Sequence, residues 1–596
     1  MNKIIFTYLR DLYRPFSQAF LAILALMVVQ QLTTITTPYL YGKIIDGIIQ
    51  GKPLQYIIIV AIVSLGLLLF NILVTYIREK KEIEAIDFDI SRHIAKTTLL
   101  RMFKFSLGQF ANENSGLKQS VVNQGSGALR QSATLILYNF LPIIIQVVIT
   151  IAALLYVDLF LGAIVFFGSV VYIGSNIYYN IYFYPNVKEQ QDLMRNQQKR
   201  HSEILRYMAL VKVHAQEENT IEEYHQKNTE IGNFGKKIWT RFMKVFFIRE
   251  SFAEIVQFMV LATSIYLVYR GVHTPGTIVV FLAWSNNVFA RLGSLGSVQR
   301  NLVENIGYVD KYINMLSIPI AVTEQKDPIK PTRFNGEIEF RNVSFSYPVI
   351  KNDSDMEQTE EISSSDALRN VSFTIKAGET CAFVGQSGAG KTTLVNLLLR
   401  AYDPNGGKIL VDGNDLRTLD LTFYRRAIGL VEQQVELFDE TLRYNILFGV
   451  NNERHLISDE DLEVIAKKAC IDKFYHRLGG KKFETLIGER GIRLSGGERQ
   501  RVGIARALAK DPHILIFDEA TSNLDTENEA LIHQAMREAL RGRTGIIIAH
   551  RLSTIKGVDK IVVFDRGQVV GIGTHNELVE MCEPYRRLIE KQVVSF

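Results

Sequence analysis

The chain has 596 residues, too many for one hydrophobic core, so several domains are expected. Its formal net charge at pH 7 is only +5, which for this length gives no indication of a nucleic-acid-binding surface. The cysteines follow no metal-ligand or disulfide spacing, as is usual in a reducing compartment. They are predicted to be small buried apolar side chains, and they are Cys381, Cys470 and Cys582.

The first 300 residues are dominated by long apolar segments. Residues 1–16 are basic and amphipathic, and no signal-peptide cleavage pattern follows them, so we interpret them as an elbow helix at a membrane interface. Beyond them, six segments reach the roughly 20 apolar residues that a helix needs to cross a bilayer. These predicted spans are 17–43, 54–77, 134–157, 159–184, 242–269 and 274–299. Residues 17–300 are therefore predicted to form a six-helix membrane domain.

The distribution of basic residues predicts which loops face the cytoplasm. The two long connections, 78–133 and 185–239, carry nine Lys or Arg each. The three short connections on the opposite side carry only Lys52 and Arg270. Because cytoplasmic loops are enriched in basic residues, the long connections, the N-terminus and everything after the last span are predicted to be cytoplasmic.

Both long connections contain helical patterns, at Ile83 to Phe105 and at Lys188 to Tyr224. The spans are therefore expected to continue into the cytoplasm as helices. Two small contact helices are placed at the turn-like stretch 112–116 and at 205–214, where an ordinary solvated turn is the alternative.

Polar side chains inside the predicted spans have two interpretations that the sequence leaves open. They line an aqueous cavity or they join neighbouring helices, and near the cytoplasmic ends they can also extend to the interface. The carboxylates Glu250 and Glu254 share a helix face, which would suit a cationic or amphipathic ligand. The full set is Gln30, Gln31, Thr34, Thr37, Asn176, Asn180, Glu250, Glu254, Gln257, Asn286, Asn287 and Arg291.

After a linker at 301–335, residues 336–596 alternate short apolar runs with Gly-rich turns and charged helices, as an α/β domain does. An apolar strand ending at Val384 leads into a phosphate loop and then into a helix-forming run. Lys391 is expected to reach the β- and γ-phosphates of a nucleotide, and Thr392 to ligate Mg²⁺. The candidate loop residues are Gly385, Gln386, Ser387, Gly388, Ala389, Gly390, Lys391, Thr392 and Thr393.

A second apolar strand, Ile514 to Phe517, ends in Asp518, whose carboxylate is suited to the Mg²⁺ shell. The next residue, Glu519, is expected to polarise the attacking water as a catalytic base. By itself Glu519 could equally be an ordinary strand-end acid.

Between these two motifs lies Leu494-Ser-Gly-Gly-Glu-Arg-Gln-Arg501, which resembles the signature of ATP-binding cassette proteins. A Ser-Gly-Gly turn that opens a helix makes an anion site. The resemblance implies that Ser495, Gly496, Gly497 and Glu498 contact the γ-phosphate held by an opposite subunit. One chain alone would then not complete a nucleotide site.

Further residues resemble family marks in order and spacing, although each alone has an ordinary structural interpretation. The resemblance implies that Tyr347 stacks on adenine and that Gln433 contacts Mg²⁺ and acts in catalysis. It also implies that the catalytic His550 contacts the γ-phosphate and that Asp525 lies at the dimer interface. Thr485 to Gly491 resembles a loop of the exporter branch that touches the contact helices.

The resemblance covers essentially the whole chain, and it is to a half-size exporter of the multidrug- and lipid-exporter type. It implies a polytopic α-helical membrane domain with six spans and long intracellular helices, joined to an α/β P-loop NTPase domain. The implied activity is ATP hydrolysis with Mg²⁺ that drives export of a small or amphipathic substrate by alternating access. The partners are the lipid bilayer, an unidentified substrate and a second half-transporter, identical or related, and no nucleic acid.

Two alternatives remain at this point. A soluble ATPase of the DNA-repair kind shares the signature, but six spans argue against it. An importer or an ATP-gated channel on the same fold is not excluded. The expected location is multi-pass in a bacterial inner membrane, with the nucleotide-binding domain in the cytoplasm.

One departure from the resemblance is an acidic, Ser-rich insertion, Lys351 to Asp366, which is expected to form a mobile surface loop. A tolerated insertion is favoured over a phosphorylated regulatory segment. Asn523 and Glu432 replace residues that are more usual in the family, at positions without a chemical role.

Overall fold

The computed structural model describes residues 10–111, 115–348, 366–450, 457–479, 481–518, 526–549, 555 and 557–593. The chain divides into two compact units. The first consists of Met1–Met102 and Gly116–Ile318, and the second of Phe103–Ser115 and Pro319–Phe596. Most of the insertion predicted at 351–366, and most of the predicted elbow helix, lie outside the described residues.

Long helices form the first unit, and six of them in the described part of the chain are long and apolar enough to span a membrane, which confirms the predicted number. Two π-helical segments, Ile83–Ile90 and Leu135–Phe140, interrupt the second and third of them. The α-helices of this unit are α1 Ser17–Ile49, α2 Leu54–Glu82, α3 Ser91–Met102, α5 Ser115–Thr134, α6 Leu141–Val157, α7 Leu159–Arg206, α8 Met208–Val213, α9 Glu217–Tyr269 and α10 Pro275–Ser317.

The helices extend far beyond the apolar segments, as predicted. Helices α7 and α9 contain 48 and 53 residues. Helix α8, at Met208–Val213, lies inside the stretch predicted for the second contact helix. The other short helix is α4, Leu107–Ala111, which belongs to the second unit and lies before the predicted stretch 112–116. Most of the stretch 112–116 lies outside the described residues, and the chain before it begins a helical turn at Ser106.

The outer connections of the membrane unit are tight and capped. Asp158 alone joins α6 to α7, and its Oδ1 accepts the N–H of Leu161 at 2.9 Å. Asp46 near the end of α1 accepts the backbone N–H of Gly276 at 2.7 Å, which caps the start of α10. A Cβ on Gly276 would lie 2.0 Å from the carbonyl oxygen of Gly42, so glycine is required at this crossing.

Several of the intramembrane polar side chains join neighbouring helices. Gln30 of α1 donates to Thr75 of α2 at 2.8 Å. The buried Arg249 of α9 donates to Asn176 of α7 at 3.1 Å. Glu250 of α9 accepts a hydrogen bond from the hydroxyl of Tyr172 at 2.6 Å. The side chain of Asn180 lies outside the described part of the structure. For Gln30, Asn176 and Glu250 the structure therefore favours helix joining over the cavity interpretation, whereas Glu254, Asn286 and Arg291 are exposed.

The second unit is an α/β domain with two sheets. A six-stranded sheet has the order β10-β9-β3-β8-β7-β6, and a four-stranded antiparallel sheet has the order β2-β1-β4-β5. All three cysteines are buried and free, as predicted. The strands are β1 Ile338–Phe345, β2 Leu368–Ile375, β3 Thr380–Gly385, β4 Gly406–Val411, β5 Asn414–Asp415, β6 Ile428–Val431, β7 Ile514–Asp518, β8 Thr544–Ile548, β9 Lys560–Asp565 and β10 Gln568–Gly573.

Helices cover the six-stranded sheet and complete two apolar cores of the second unit. The phosphate-loop helix packs its buried Leu394, Leu397 and Leu398 against strand residues of one core. The helices are α11 Lys391–Leu398, α12 Leu421–Arg426, α13 Leu442–Leu447, α14 Asp459–Lys468, α15 Gly496–Ala509, α16 Thr526–Leu540, α17 His575–Met581 and α18 Glu583–Val593. A helical membrane unit with an α/β nucleotide-binding unit is the fold class that the sequence predicted.

Candidate nucleotide site

The predicted site residues follow the carboxyl ends of parallel strands. Strands β3, β8, β7 and β6 run parallel to one another, so their carboxyl ends lie at one edge of the sheet. Gly385 ends β3, Asp518 ends β7, and Gln433 lies two residues after β6. Ligands of open α/β sheets bind at this edge. The fold thus brings segments separated by more than a hundred residues to one side of the sheet.

The phosphate loop is folded as the sequence predicted. Gly390 is the N-cap of α11 with φ of +101°, in the left-handed region that favours glycine. A Cβ there would also lie 2.6 Å from the side chain of Leu368. Lys391 is 5% exposed, and its ammonium group donates to the carbonyl oxygens of Gly385 and Gln386 at 2.8 and 3.0 Å. The loop is therefore curled around the lysine, with the N-terminus of α11 directed into the loop.

An open cavity of about 590 Å³ lies over this loop. Ser387, Gly388, Ala389, Gly390, Lys391, Thr392 and Thr393 line it together with Tyr347, Asp366, Ala367, Arg369, Arg566 and Gly567. The Tyr347 ring is 38% exposed, and its hydroxyl lies 3.1 Å from the hydroxyl of Thr393. An exposed aromatic face beside a phosphate loop can stack on a nucleotide base, and Arg369 and Arg566 add positive charge.

Tyr402 is a residue that sequence reasoning missed. Its ring meets that of Tyr347 edge-on, with centroids 5.4 Å apart. Its hydroxyl donates to the carbonyl oxygen of Gly108 in α4 at 3.1 Å, and the Gly108 N–H donates to Ala401 at 3.3 Å. A direct series of contacts thus runs from the cavity wall to α4. The missed sequence signal was Ser106-Leu-Gly-Gln109, an S-x-x-Q capping box that marks a helix start.

Gln433 and Asp518 lie at the same sheet edge but do not line the cavity as the structure describes it. The backbone of Gln433 accepts a hydrogen bond from Gln500 of α15 at 2.5 Å, so the segment after β6 is tied to that helix. Glu519, Asp525 and His550 lie outside the described residues. Their predicted roles are not tested by this geometry.

The signature segment forms a fully capped helix start. The Ser495 side chain accepts the N–H of Glu498, and the Glu498 carboxylate accepts the N–H of Ser495 at 2.7 Å. Arg477 donates to both carboxylate oxygens at 2.7 and 2.8 Å. Burial opposes ionisation of Glu498, but the Ser495 N–H and the Arg477 guanidinium hold its pKa below the usual value. The cap fixes Gly496 and Gly497 in the first turn of α15, where backbone N–H groups are free to meet an anion.

The loop predicted to mark exporters, Thr485 to Gly491, packs on the segment before α13. Leu442 donates its N–H to Thr485 at 3.0 Å, and Ile487 donates to Glu440 at 3.2 Å. Leu486 remains 54% exposed on the surface. An exposed apolar side chain on an ordered loop is suited to contact another surface.

These features together define an ATP-binding membrane transporter: a phosphate-loop domain that follows a bundle of six membrane-spanning helices in one chain. The profile of the family described as ABC transporter matches residues 368–522, and that of the ABC transporter transmembrane region matches residues 20–292. The chain belongs to the ABC transporter family and is an ATP-driven exporter of that family, a multi-pass integral membrane protein.

Relatives and a solved structure support this membership. YgaD of Bacillus subtilis, a proposed multidrug export ATP-binding/permease protein, is 30% identical over 97% of this chain and 98% of its own. The ATP-dependent lipid A-core flippase of Syntrophus aciditrophicus is 39% identical over 327 residues, which are 55% of this chain and 51% of the flippase. A solved bacterial Atm1-family ABC exporter with ATP bound has a TM-score of 0.82 and 28% identity, covering 97% of this chain and 98% of that one.

Proposed function

We propose that the chain is a half-transporter in which two copies share two ATP sites. The observation that carries this proposal is the separation of the two anion-binding elements within one chain. The residues Ser495 to Glu498, which the structure describes, do not line the cavity over the phosphate loop. Their capped helix start is nevertheless suited to bind phosphate. A second chain that supplies its Ser495 turn to this cavity would complete the site.

The cavity residues supply binding and orientation for ATP. Tyr347 stacks on the adenine ring, and the backbone N–H groups of residues 385–393 surround the phosphates. Lys391 exchanges the carbonyl oxygens of Gly385 and Gln386 for phosphate oxygens. Asp525 of each chain lies at the interface between the copies.

Mg²⁺ is the metal that these donors fit. Thr392, Gln433 and Asp518 offer a hydroxyl, an amide oxygen and a carboxylate, and Mg²⁺ prefers oxygen ligands from few carboxylates together with phosphate. Bound Mg²⁺ would neutralise charge that develops on the phosphates. Gln433, whose backbone accepts a hydrogen bond from Gln500, would sense the occupied site through its side chain.

Hydrolysis is assigned to Glu519, which orients the attacking water, and to His550, which contacts the γ-phosphate. ATP favours the closed pair of cassettes, and hydrolysis releases it, so that the membrane helices alternate between inward-open and outward-open states. The exported substrate is a small or amphipathic molecule of the lipid, drug, peptide or conjugate class, and the membrane is the bacterial inner membrane. We retain the division into 1–16, 17–300, 301–335 and 336–596 as part of this proposal.

A mixed-protomer experiment tests the shared site. One copy carries Lys391→Ala and the other Ser495→Ala, each with its own affinity tag, and doubly tagged dimers are isolated. If the sites are shared, both substitutions fall in the same site and the other site is wild type. The mixed dimer should then trap nucleotide with vanadate, a transition-state mimic, at about half the wild-type stoichiometry.

The control is a dimer in which one copy carries both substitutions and the other carries none. Shared sites would then each contain one defect, and trapping should be lost. If instead this control traps nucleotide and the mixed dimer does not, each chain builds its own site and the proposal is wrong.

A further inference from the structure

The side chain of a glutamate at the end of α2 is completely buried and makes no hydrogen bond to the described residues. Glu82 has 0% of its surface exposed. Neither carboxylate oxygen accepts a hydrogen bond from any group in the described part of the chain. A carboxylate removed from water without donors is strongly disfavoured against the neutral acid. Such a side chain requires an explanation, and it lies outside the nucleotide site.

Arg78, one helical turn earlier, does not satisfy this carboxylate. Its Nε lies within ion-pair distance of Glu82 Oε1, at 3.4 Å, but makes no hydrogen bond to it. The guanidinium is directed elsewhere, since its Nη1 donates to Gln30 Oε1 on α1 at 2.6 Å, and its Nη2 lies 3.7 Å from the exposed Glu79. Arg78 therefore joins α1 to α2, and both oxygens of Glu82 remain without a hydrogen bond from the residues that the structure describes.

The third membrane helix contributes a second buried polar group. The hydroxyl of Tyr138 is buried and has no hydrogen-bond partner among the described residues, and the phenol lies within electrostatic range of Glu82. The charges that act on Glu82 itself are Arg78 and Glu79 of its own helix. On α1, the uncharged amide of Gln30 contacts Arg78 rather than Glu82 in the hydrogen bonds of the described residues.

The backbone around both groups is unusual. The π-helical segment Ile83–Ile90 begins directly after Glu82, and the segment Leu135–Phe140 contains Tyr138. Long π-helical stretches are rare and often mark functional positions. Conversion of a π turn to an α turn shifts the hydrogen-bond register by one residue, so the side chain before it rotates relative to those after it. The two segments are thus places where the burial of Glu82 can change between conformations.

We infer that Glu82 is a proton-binding site whose occupancy changes with the conformation of the transporter. In the conformation described here the carboxyl group holds a proton taken from water. When the helices rearrange so that the carboxyl group meets water or accepts a hydrogen bond from the Arg78 guanidinium, it releases the proton to solvent. A metal ion does not suit this position, because one carboxylate offers too few ligands and the guanidinium group 3.4 Å away repels a cation. By linkage, pH must then shift the conformational equilibrium.

The experiment measures protons while hydrolysis is prevented. In a Glu519→Gln background, ATP is added to detergent-purified protein in weak buffer near pH 7, and a pH-indicator dye reports proton release. In parallel, difference infrared spectra record the carbonyl stretch of protonated carboxylic acids. The Glu82 site predicts release of up to one proton per protomer and loss of one such band on ATP binding.

Glu82→Gln should abolish both signals, whereas Glu84→Gln, an exposed neighbour in the same π-helical segment, should retain them. Glu82→Asp keeps a titratable group and should move the infrared band, which identifies it even if the glutamine variant does not fold. Unchanged proton release in Glu82→Gln, or a band that Glu82→Asp does not move, overturns the inference. ATP retention by the same samples is measured separately, so failure of the nucleotide site is distinguishable from failure of the proton site.

Discussion

Replacing Gly108 by alanine should disconnect ATP turnover from transport. A Cβ at Gly108 would lie 2.2 Å from Cζ of Tyr402, whereas carbon atoms in ordinary contact are about 3.5–4.0 Å apart. The Tyr402 ring cannot retreat, because it is 7% exposed and packs between the rings of Phe345 and Tyr347. Helix α4 must therefore move outward by more than about 1 Å.

That movement breaks two hydrogen bonds, Tyr402 to Gly108 and Gly108 to Ala401. Each is worth about 0.5–1.5 kcal/mol, so the docking of α4 weakens by about 1–3 kcal/mol. This corresponds to a factor of about 5–150 in a coupling equilibrium. Because α4 is joined through the chain to the second and third membrane helices, substrate transported per ATP should fall at least about fivefold, while binding of labelled ATP persists.

The assay compares ATPase rate and substrate accumulation in the same proteoliposomes. Gly127→Ala is the matched control, since a Cβ at this position in α5 meets nothing within 4 Å and coupling should be unchanged. Combining Gly108→Ala with Tyr402→Ala removes the clash, so the double variant should be no worse than Tyr402→Ala alone. Wild-type coupling in Gly108→Ala, or additive losses in the double variant, would refute the proposed connection.

Other substitutions test the site and the membrane unit. Gly390→Ala places a side chain at φ of +101° and should cost about 1–3 kcal/mol and weaken ATP binding, measured by filter retention of labelled nucleotide. Glu498 has a lowered pKa, so its contribution to stability is present above the ordinary glutamate pKa of about 4.3 and is lost as the pH falls through the lowered value. Glu498→Gln should therefore flatten the acidic part of the profile of melting temperature against pH. Arg477→Gln should make the pH dependence in that range smaller. Gly276→Ala should lower the yield of folded protein, measured by size-exclusion chromatography, because its Cβ would overlap the Gly42 carbonyl oxygen; a normal yield would contradict this close crossing.

The number of membrane spans, the phosphate loop and the helix start at Ser495 can be predicted from short stretches of sequence. The six spans follow from apolar length alone, because a bilayer requires about 20 such residues whatever they contact. The phosphate loop follows from the glycines and from Lys391 between a strand and a helix, and the capped turn at Ser495 from an S-x-x-E pattern.

Contacts between distant parts of the chain could not be predicted in this way. Gly108 and Tyr402 are 294 positions apart, and nothing in either neighbourhood specifies the other. Glu82 belongs to the charged run Arg78-Glu-Lys-Lys-Glu82, a composition typical of a solvated helix face, and only the packing of the neighbouring helices removes it from water. The choice between cavity and helix joining for Glu250 likewise depended on Tyr172, 78 positions away.

The unbroken length of α9 has a mechanical consequence. At 1.5 Å per residue, a helix of 53 residues is a rod of about 80 Å, of which the hydrocarbon layer of about 30 Å can enclose less than half. A tilt of only about 5° displaces one end of such a rod by about 7 Å relative to the other. Small rotations near the cytoplasmic end are therefore magnified at the opposite membrane face without any bend, and a proline near the middle of α9 would turn this rigid arm into two loosely joined pieces.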